Sequence, residues 1–358
     1  MKKMIGTLFS MVFWFVVTSS AMSLIMGEGI YRFQWQDLGI IVKVILIMVM
    51  SIFIHELGHL IMGFATGYTF TSFQVGNVLW TRDEDKIKFK IEKNTYVLGQ
   101  CLMKPTENEE DFKFFWYNFG GGLFNLIAMT IGFIIIRRAN LTDFWYIFFM
   151  IGNTINGFNM LLNLIPLPFL NNDGFNIYSA SRSPEAKKGF YQTLILHDAL
   201  KQGKRYRDFS SEAFKVKEGI RLENFWVATL VLHEFARLED LGEMDAAMKE
   251  LNRLDIEKLP NLLKGTAKLE LLNHYIMRQP DYEKAKELYR CKSVKQVIKM
   301  ELPGTIRIKA LYEYFINHEK NEAKTLLEKA EKQAETLEAK GWREMELEEV
   351  NRLKKVMI

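Results

Sequence analysis

The chain has 358 residues, enough for two or three domains, and a formal net charge of only +4. No Lys/Arg-rich run is interleaved with aromatic residues, so the electrostatic footprint of a nucleic-acid partner is missing. Two cysteines, Cys101 and Cys291, stand far apart without metal-ligand spacing, which fits reduced thiols rather than a disulfide framework.

A mean hydropathy near zero conceals two unlike halves. Residues 1–170 hold long apolar runs, whereas 175–358 are rich in Lys, Glu, Ala and Leu. A membrane-crossing helix needs about 20 mostly apolar residues. Met4–Met26 carries no charge. Lys2-Lys3 before it and Ser19-Ser20-Ala21 within it also fit a secretory leader, but the length of the apolar stretch favours a retained span. Leu38–Phe64 is apolar except for Lys43, His55, Glu56 and His59. Phe114–Ile136 and Phe144–Leu162 are uncharged, the latter with Asn153, Asn156 and Asn159.

Lys and Arg gather on the cytoplasmic side of membrane proteins. Lys2 and Lys3 precede the first span, and loop 65–113 holds Arg82, Lys86, Lys88, Lys90, Lys93, Lys104 and Lys113. The other loops hold only Arg32, Arg137 and Arg138. The expectation is a multi-pass protein of the cell membrane with both termini in the cytoplasm. Within the loop, residues 87–92 alternate apolar and polar, as a half-buried strand does. Phe73–Trp80 is the expected partner strand, with Thr81–Lys86 as the connection.

The second span contains His55-Glu56-Leu57-Gly58-His59. Residues four apart lie on one face of a helix, so two imidazoles can bind one zinc and leave the Glu beside them to act on water. Ionisable side chains inside a span are costly and mark functional sites. Three of them fall here within five residues. His55 lies nine residues before Phe64, about 13 Å from the cytoplasmic end at the helical rise. His233-Glu234 lacks the second His, and His197, His274 and His318 are isolated; all four read as ordinary core or surface residues.

A catalytic zinc usually takes three protein ligands. The last apolar segment ends in Asn163-Leu164-Ile165-Pro166-Leu167-Pro168-Phe169-Leu170-Asn171-Asn172-Asp173-Gly174, where two prolines break the helix. Asp173 is the candidate third ligand; a plain turn at Asp-Gly is the alternative.

With these residues the chain resembles the site-2 protease family of intramembrane metalloproteases, over roughly 38–178. That family pairs H-E-x-x-H in one span with N-x-x-P-x-P-x-L-D-G in a later one. The resemblance implies that His55, His59 and Asp173 hold Zn2+, that Glu56 is the general base, and that Asn163 contacts substrate or makes a structural hydrogen bond. Asn171-Asn172 separates Leu170 from Asp173, a departure from the pattern. Gly120-Gly121-Gly122 and Asn125 resemble the family's Gly-Pro-x-x-Asn segment, with Asn125 either reaching substrate or serving helix packing. A membrane-associated strand element in loop 65–113 is also implied. An exposed edge strand there can hold an extended substrate by strand addition; a sheet that only caps the face is the alternative.

From about residue 183 the pattern is soluble and helical. Leu251, Leu288 and Leu326 close three similar segments, 37 and 38 residues apart. This spacing is near the tetratricopeptide repeat of about 34 residues. Such stacks form concave binding surfaces for a protein or peptide partner.

The expected fold is therefore a membrane all-α domain, 1–178, of about four transmembrane helices with a small cytoplasmic-side β-hairpin, followed by a soluble α-helical, tetratricopeptide-like domain, 183–358. The expected function is zinc-dependent hydrolysis of a membrane-protein or peptide-precursor substrate. The alternatives are a non-catalytic membrane receptor or scaffold working through its helical half, and a metal transporter. An intact Glu56 argues against the former, and Asp-Gly after a broken helix argues against the latter.

Overall fold

The computed structural model describes residues 35–83, 86–91, 97–168 and 170–357. Three helices are long and apolar enough to cross a membrane: α1 (Trp35–Ala65) over Ile41–Ala65, α2 (Phe114–Arg138) and α3 (Asp143–Leu164). They match the second, third and fourth expected spans. The first, Met4–Met26, lies outside the described residues. Each helix stops where the sequence stops supporting it. At the end of α1, Thr66 folds its hydroxyl back onto the Met62 carbonyl, and Gly67 follows at φ +86°, the left-handed conformation that glycine takes without a Cβ penalty.

By its contacts the chain forms two units. One extends to Ile54 and includes Asn125–Asn159; the other joins His55–Phe124 to Met160–Ile358. In the first unit, polar side chains pair around Ser51. The Ser51 hydroxyl donates to Asn156 Oδ1 at 3.0 Å and accepts from Asn159 Nδ2 at 2.8 Å. Asn125, fully buried, donates to the Ser51 carbonyl at 3.1 Å and to Asn156 Oδ1 at 2.8 Å. Inside a bilayer no water can serve these amides, so they bond to one another and to backbone. Large apolar side chains such as Leu46, Val49, Ile131 and Ile134 point outward, as lipid contact requires.

In the second unit, loop 65–113 folds into a four-stranded antiparallel sheet rather than the expected hairpin. Its strands are β1 (Tyr68–Val75), β2 (Val78–Asp83), β3 (Lys86–Ile91) and β4 (Gly99–Pro105), in the order β3-β2-β1-β4. The expected strand 73–80 is two strands. Gly76, at φ +55°, and Asn77 reverse the chain between the paired residues Val75 and Val78. This two-residue turn is favoured because its twist matches that of the strands it joins. Thr81–Asp83 then extend β2 and pair with Lys86–Lys88 instead of forming a connection. β4 was not anticipated. It covers the other edge of β1, with Phe73 opposite Cys101.

The rest of the chain is helical: α4 (Asp173–Arg182), α5 (Pro184–Lys201), α6 (Ser211–Phe214), α7 (Phe225–Asp240), α8 (Met244–Leu251), α9 (Asn261–Met277), α10 (Tyr282–Arg290), α11 (Lys292–Ile298), α12 (Pro303–Phe315), α13 (Lys320–Glu335) and α14 (Lys340–Met357). The three similar segments are the second helices of the pairs α7/α8, α9/α10 and α12/α13. Ala247, Ala285 and Ala323 are fully buried in them, where one helix packs closely on its neighbour.

The sheet is fastened to α5 by one carboxylate. Asp198, 3% exposed, accepts from Thr71 of β1, from Arg82 of β2 at 2.9 Å and from Gln202, and pairs with Lys104 of β4 at 3.1 Å. Lys90 of β3 pairs with Glu338 in the α13–α14 connection, and Asp83 with Lys340 at the start of α14.

His233 and Glu234 have other partners than a metal. Glu234 forms a two-pronged pair with Arg237, and His233 lies within hydrogen-bonding distance of Thr193 and Tyr206. Burial, with a smaller push from His197, holds the His233 pKa down at about 3. In the unfolded chain it titrates near 6.5. The folded state therefore gains stability from this residue above about pH 6.5 and loses it as pH falls toward about 3, by up to about 1.4 kcal/mol per pH unit. Urea unfolding of the purified chain between pH 7.5 and 5 should show this decline, and His233→Gln should reduce it. An equal slope in the variant would contradict the assignment.

Candidate metal centre and active site

The site is built on the last turns of α1. His55, Glu56 and His59 are all buried there. The two imidazoles stand nearly perpendicular, at 85°, with their Nε2 atoms 3.1 Å apart. His59 Nδ1 lies 2.7 Å from the Tyr117 carbonyl of α2. A carbonyl only accepts, so Nδ1 carries the proton and Nε2 turns a lone pair into the site.

Asp173 reaches the same point from a distant part of the sequence. Its Oδ2 lies 3.1 Å from His55 Nε2 and 3.3 Å from His59 Nε2. It is the first residue of α4. Asn172 precedes it as the N-cap, accepting a bond from the Phe175 N–H. Asn171 sits at φ +51°, the left-handed region that Asn tolerates better than most residues. The two inserted asparagines thus reverse the chain and start a helix, and Asp173 still arrives at the imidazoles. Gly174 is needed for this approach, because a Cβ there would lie 2.2 Å from the Leu164 carbonyl at the end of α3.

Asp173 Oδ2 is buried without a hydrogen-bond partner. Acceptor atoms facing one another repel until a cation sits among them. Ligands about 2.0–2.1 Å from a tetrahedral zinc stand about 3.3 Å apart, close to the three separations here. His55, His59 and Asp173 form the one such three-ligand group among the described residues. The donor set of two imidazoles and a carboxylate fits zinc.

Gly121 leaves the space in front of the two imidazoles open. A Cβ at that position would lie 2.6 Å from Nε2 of both His55 and His59. Glu56 lies outside the ligand group and is buried beside it. The Tyr117 hydroxyl donates to the Cys101 carbonyl and so ties α2 to β4. The helix carrying Asp173 is anchored further along. Asn176 donates to Asn118 of α2 at 2.9 Å and accepts from the Trp226 indole of α7 at 3.1 Å.

Asn163 lies in the last turn of α3, half-buried, and Asn125 is engaged with Ser51 and Asn156; neither belongs to the three-ligand group. Tyr117, Asn118, Gly121, Asn172 and Asn176 were not anticipated at the site. The Asn172 cap had a readable signal, an Asn directly before a helix start. The role of Gly121 needed the third dimension.

Residues 43–140 match the model of Peptidase family M50, the site-2 protease family, whose members are zinc-dependent peptidases. The matched segment holds α1 from Lys43, the sheet and α2, and stops before Asp173. No curated protein and no solved structure matches the chain.

Gly121 offers a direct test of the geometry. In a helix interior Gly→Ala normally stabilises by about 0.5–1 kcal/mol. Here the added methyl meets both imidazoles. Gly121→Ala should keep its fold and lower zinc affinity more than tenfold, measured by titration against a chromophoric chelator. Wild-type affinity in the variant would contradict the site as described.

Proposed function

We propose that this chain, which carries a peptidase family M50 segment over residues 43–140, is a multi-pass zinc metalloprotease that hydrolyses peptide bonds in membrane-embedded or membrane-tethered substrates. The observation that carries the reading is the meeting of His55, His59 and Asp173 at 3.1–3.3 Å, with Glu56 beside them. His55, His59 and Asp173 hold the metal. Zinc held there supplies Lewis acidity, which polarises a scissile carbonyl and acidifies water at neutral pH.

The chain's own groups do the rest. The Glu56 carboxylate takes the proton of the attacking water and returns it to the departing amine nitrogen. The Tyr117 carbonyl keeps His59 in the tautomer whose Nε2 is free to ligate. Hydrolysis requires an extended substrate, since a helix hides its amide bonds. β3 supports strand addition: it is a sheet edge, exposed along its whole length, with Ile87, Phe89 and Ile91 on one side. Asn125 is read as a packing residue, since its amide is engaged with Ser51 and Asn156, and Asn163 as a residue at the substrate entrance or a structural hydrogen bonder.

The excess of Lys and Arg in 65–113 supports a topology with both termini in the cytoplasm. The helix pairs of the C-terminal half are read as a tetratricopeptide-like surface for a regulatory protein or peptide. A reporter fused after Ile358 should be active in the cytosol; activity only outside would overturn the topology.

Glu56→Gln keeps the shape of the side chain and removes the base. Zinc content should stay at one per chain, while cleavage of a membrane-protein substrate captured by the variant in cells should fall about 10²–10⁴-fold. Asp173→Asn should lose both zinc and activity. Near-normal cleavage by Glu56→Gln would end the metalloprotease mechanism proposed here.

A further inference from the structure

We propose that Asn172 is a positioning residue that sets the Asp173 carboxylate against the two imidazoles; the inference rests on the reading of Asp173 as a metal ligand. The chain leaves α3 through Ile165-Pro166-Leu167-Pro168. In an unbroken helix the Leu162 carbonyl would accept from residue 166, but residue 166 is proline and has no N–H. Asn172 supplies the missing donor. Its Nδ2 donates to the Leu162 carbonyl and, at 2.7 Å, to the Ile165 carbonyl.

The other end of the same amide accepts. Its Oδ1 takes the Phe175 N–H at 2.9 Å, capping α4, and the Leu167 N–H at 3.2 Å. Both donor hydrogens and both acceptor positions of one nearly buried amide are thereby used. The end of α3, the proline loop and the first turn of α4 are tied at a single point. Asp173 is the next residue, and Gly174 after it lies against the Leu164 carbonyl. The carboxylate is thus held between two fixed neighbours and cannot slide along the chain. In the site-2 protease pattern a Leu stands directly before the Asp, so this amide clamp is a device of the present chain.

Replacement of Asn172 by aspartate and by alanine separates the clamp from simple helix capping. The carboxylate of an Asn172→Asp variant would cap α4 as well as the native amide does but cannot donate to the two carbonyls. The full-length protein is purified in detergent as wild type, Asn172→Asp, Asn172→Ala and Asp173→Asn. Each is titrated with zinc and, separately, with Co2+, whose visible absorption reports ligand geometry. Helical content and thermal unfolding are followed for the apo forms. Asn172→Asp should keep wild-type helical content, bind zinc about 10–100-fold more weakly, and show an altered Co2+ spectrum. Asn172→Ala should bind at least as weakly. If Asp173→Asn is impaired but Asn172→Asp binds zinc within twofold of wild type with an unchanged Co2+ spectrum, Asn172 is only a cap and the proposal fails. If Asp173→Asn itself binds like wild type, the ligand reading fails, and the proposal with it. Should Asn172→Asp prove too unstable to purify, Asn172→Ser, whose hydroxyl caps α4 but is too short to reach both carbonyls, takes its place with the same two outcomes.

Discussion

At Gly58 and Gly120 the backbones of α1 and α2 come into contact, and the arrangement of the site follows from that approach. A Cβ on Gly58 would lie 2.2 Å from the Gly120 carbonyl oxygen, and one on Gly120 would lie 2.5 Å from the Gly58 carbonyl oxygen. Small residues allow this closeness between membrane helices, where apolar burial alone gives no preference for helix over lipid. Once the helices touch, the Tyr117 carbonyl can reach His59, and the bare α-carbon of Gly121 can face both imidazoles. A larger residue at either contact would separate the ring from the group that fixes its tautomer.

Asp173, the proposed third ligand, demands a different solution, because it comes from a stretch that cannot remain helical. Two prolines open the end of α3, and polar side chains then rebuild what the backbone lost. Asn172 binds the loop, and Asn176 joins α4 to Asn118 on one side and to Trp226 on the other. The helices of the C-terminal half therefore help to hold Asp173 in place. Asp198 does the same for the sheet, collecting Thr71, Arg82 and Lys104 onto α5. Charge-assisted bonds to a carboxylate as buried as Asp198 are among the stronger polar contacts, which suits them to this role.

The sequence disclosed the parts of this site that depend on local spacing. The His55–His59 pair follows from helical periodicity, and the three apolar helices follow from length and hydropathy. Asp173 was identifiable as a candidate, though the two asparagines before it obscured its register. Their purpose is visible only once Asn171 is seen in the left-handed conformation and Asn172 as a cap. The sheet was only half legible. Alternation marked β3, but Gly76-Asn77 was read as part of a continuous strand when it is the turn between two. β4 lacks a strict apolar alternation and owes its place to long-range pairing with β1. Likewise Gly121 looked like one member of a glycine run, and only its distance from two imidazoles sets it apart. Residues whose roles come from partners close in sequence were readable, and those whose partners lie far along the chain were not.

Zinc K-edge X-ray absorption on the purified, zinc-loaded chain tests the central claim most directly. The account predicts a single zinc with two imidazole rings and light oxygen ligands in its first shell, at about 2.0–2.1 Å. A spectrum with sulfur ligation, or without the outer-shell scattering of two histidine rings, would contradict the site built from His55, His59 and Asp173.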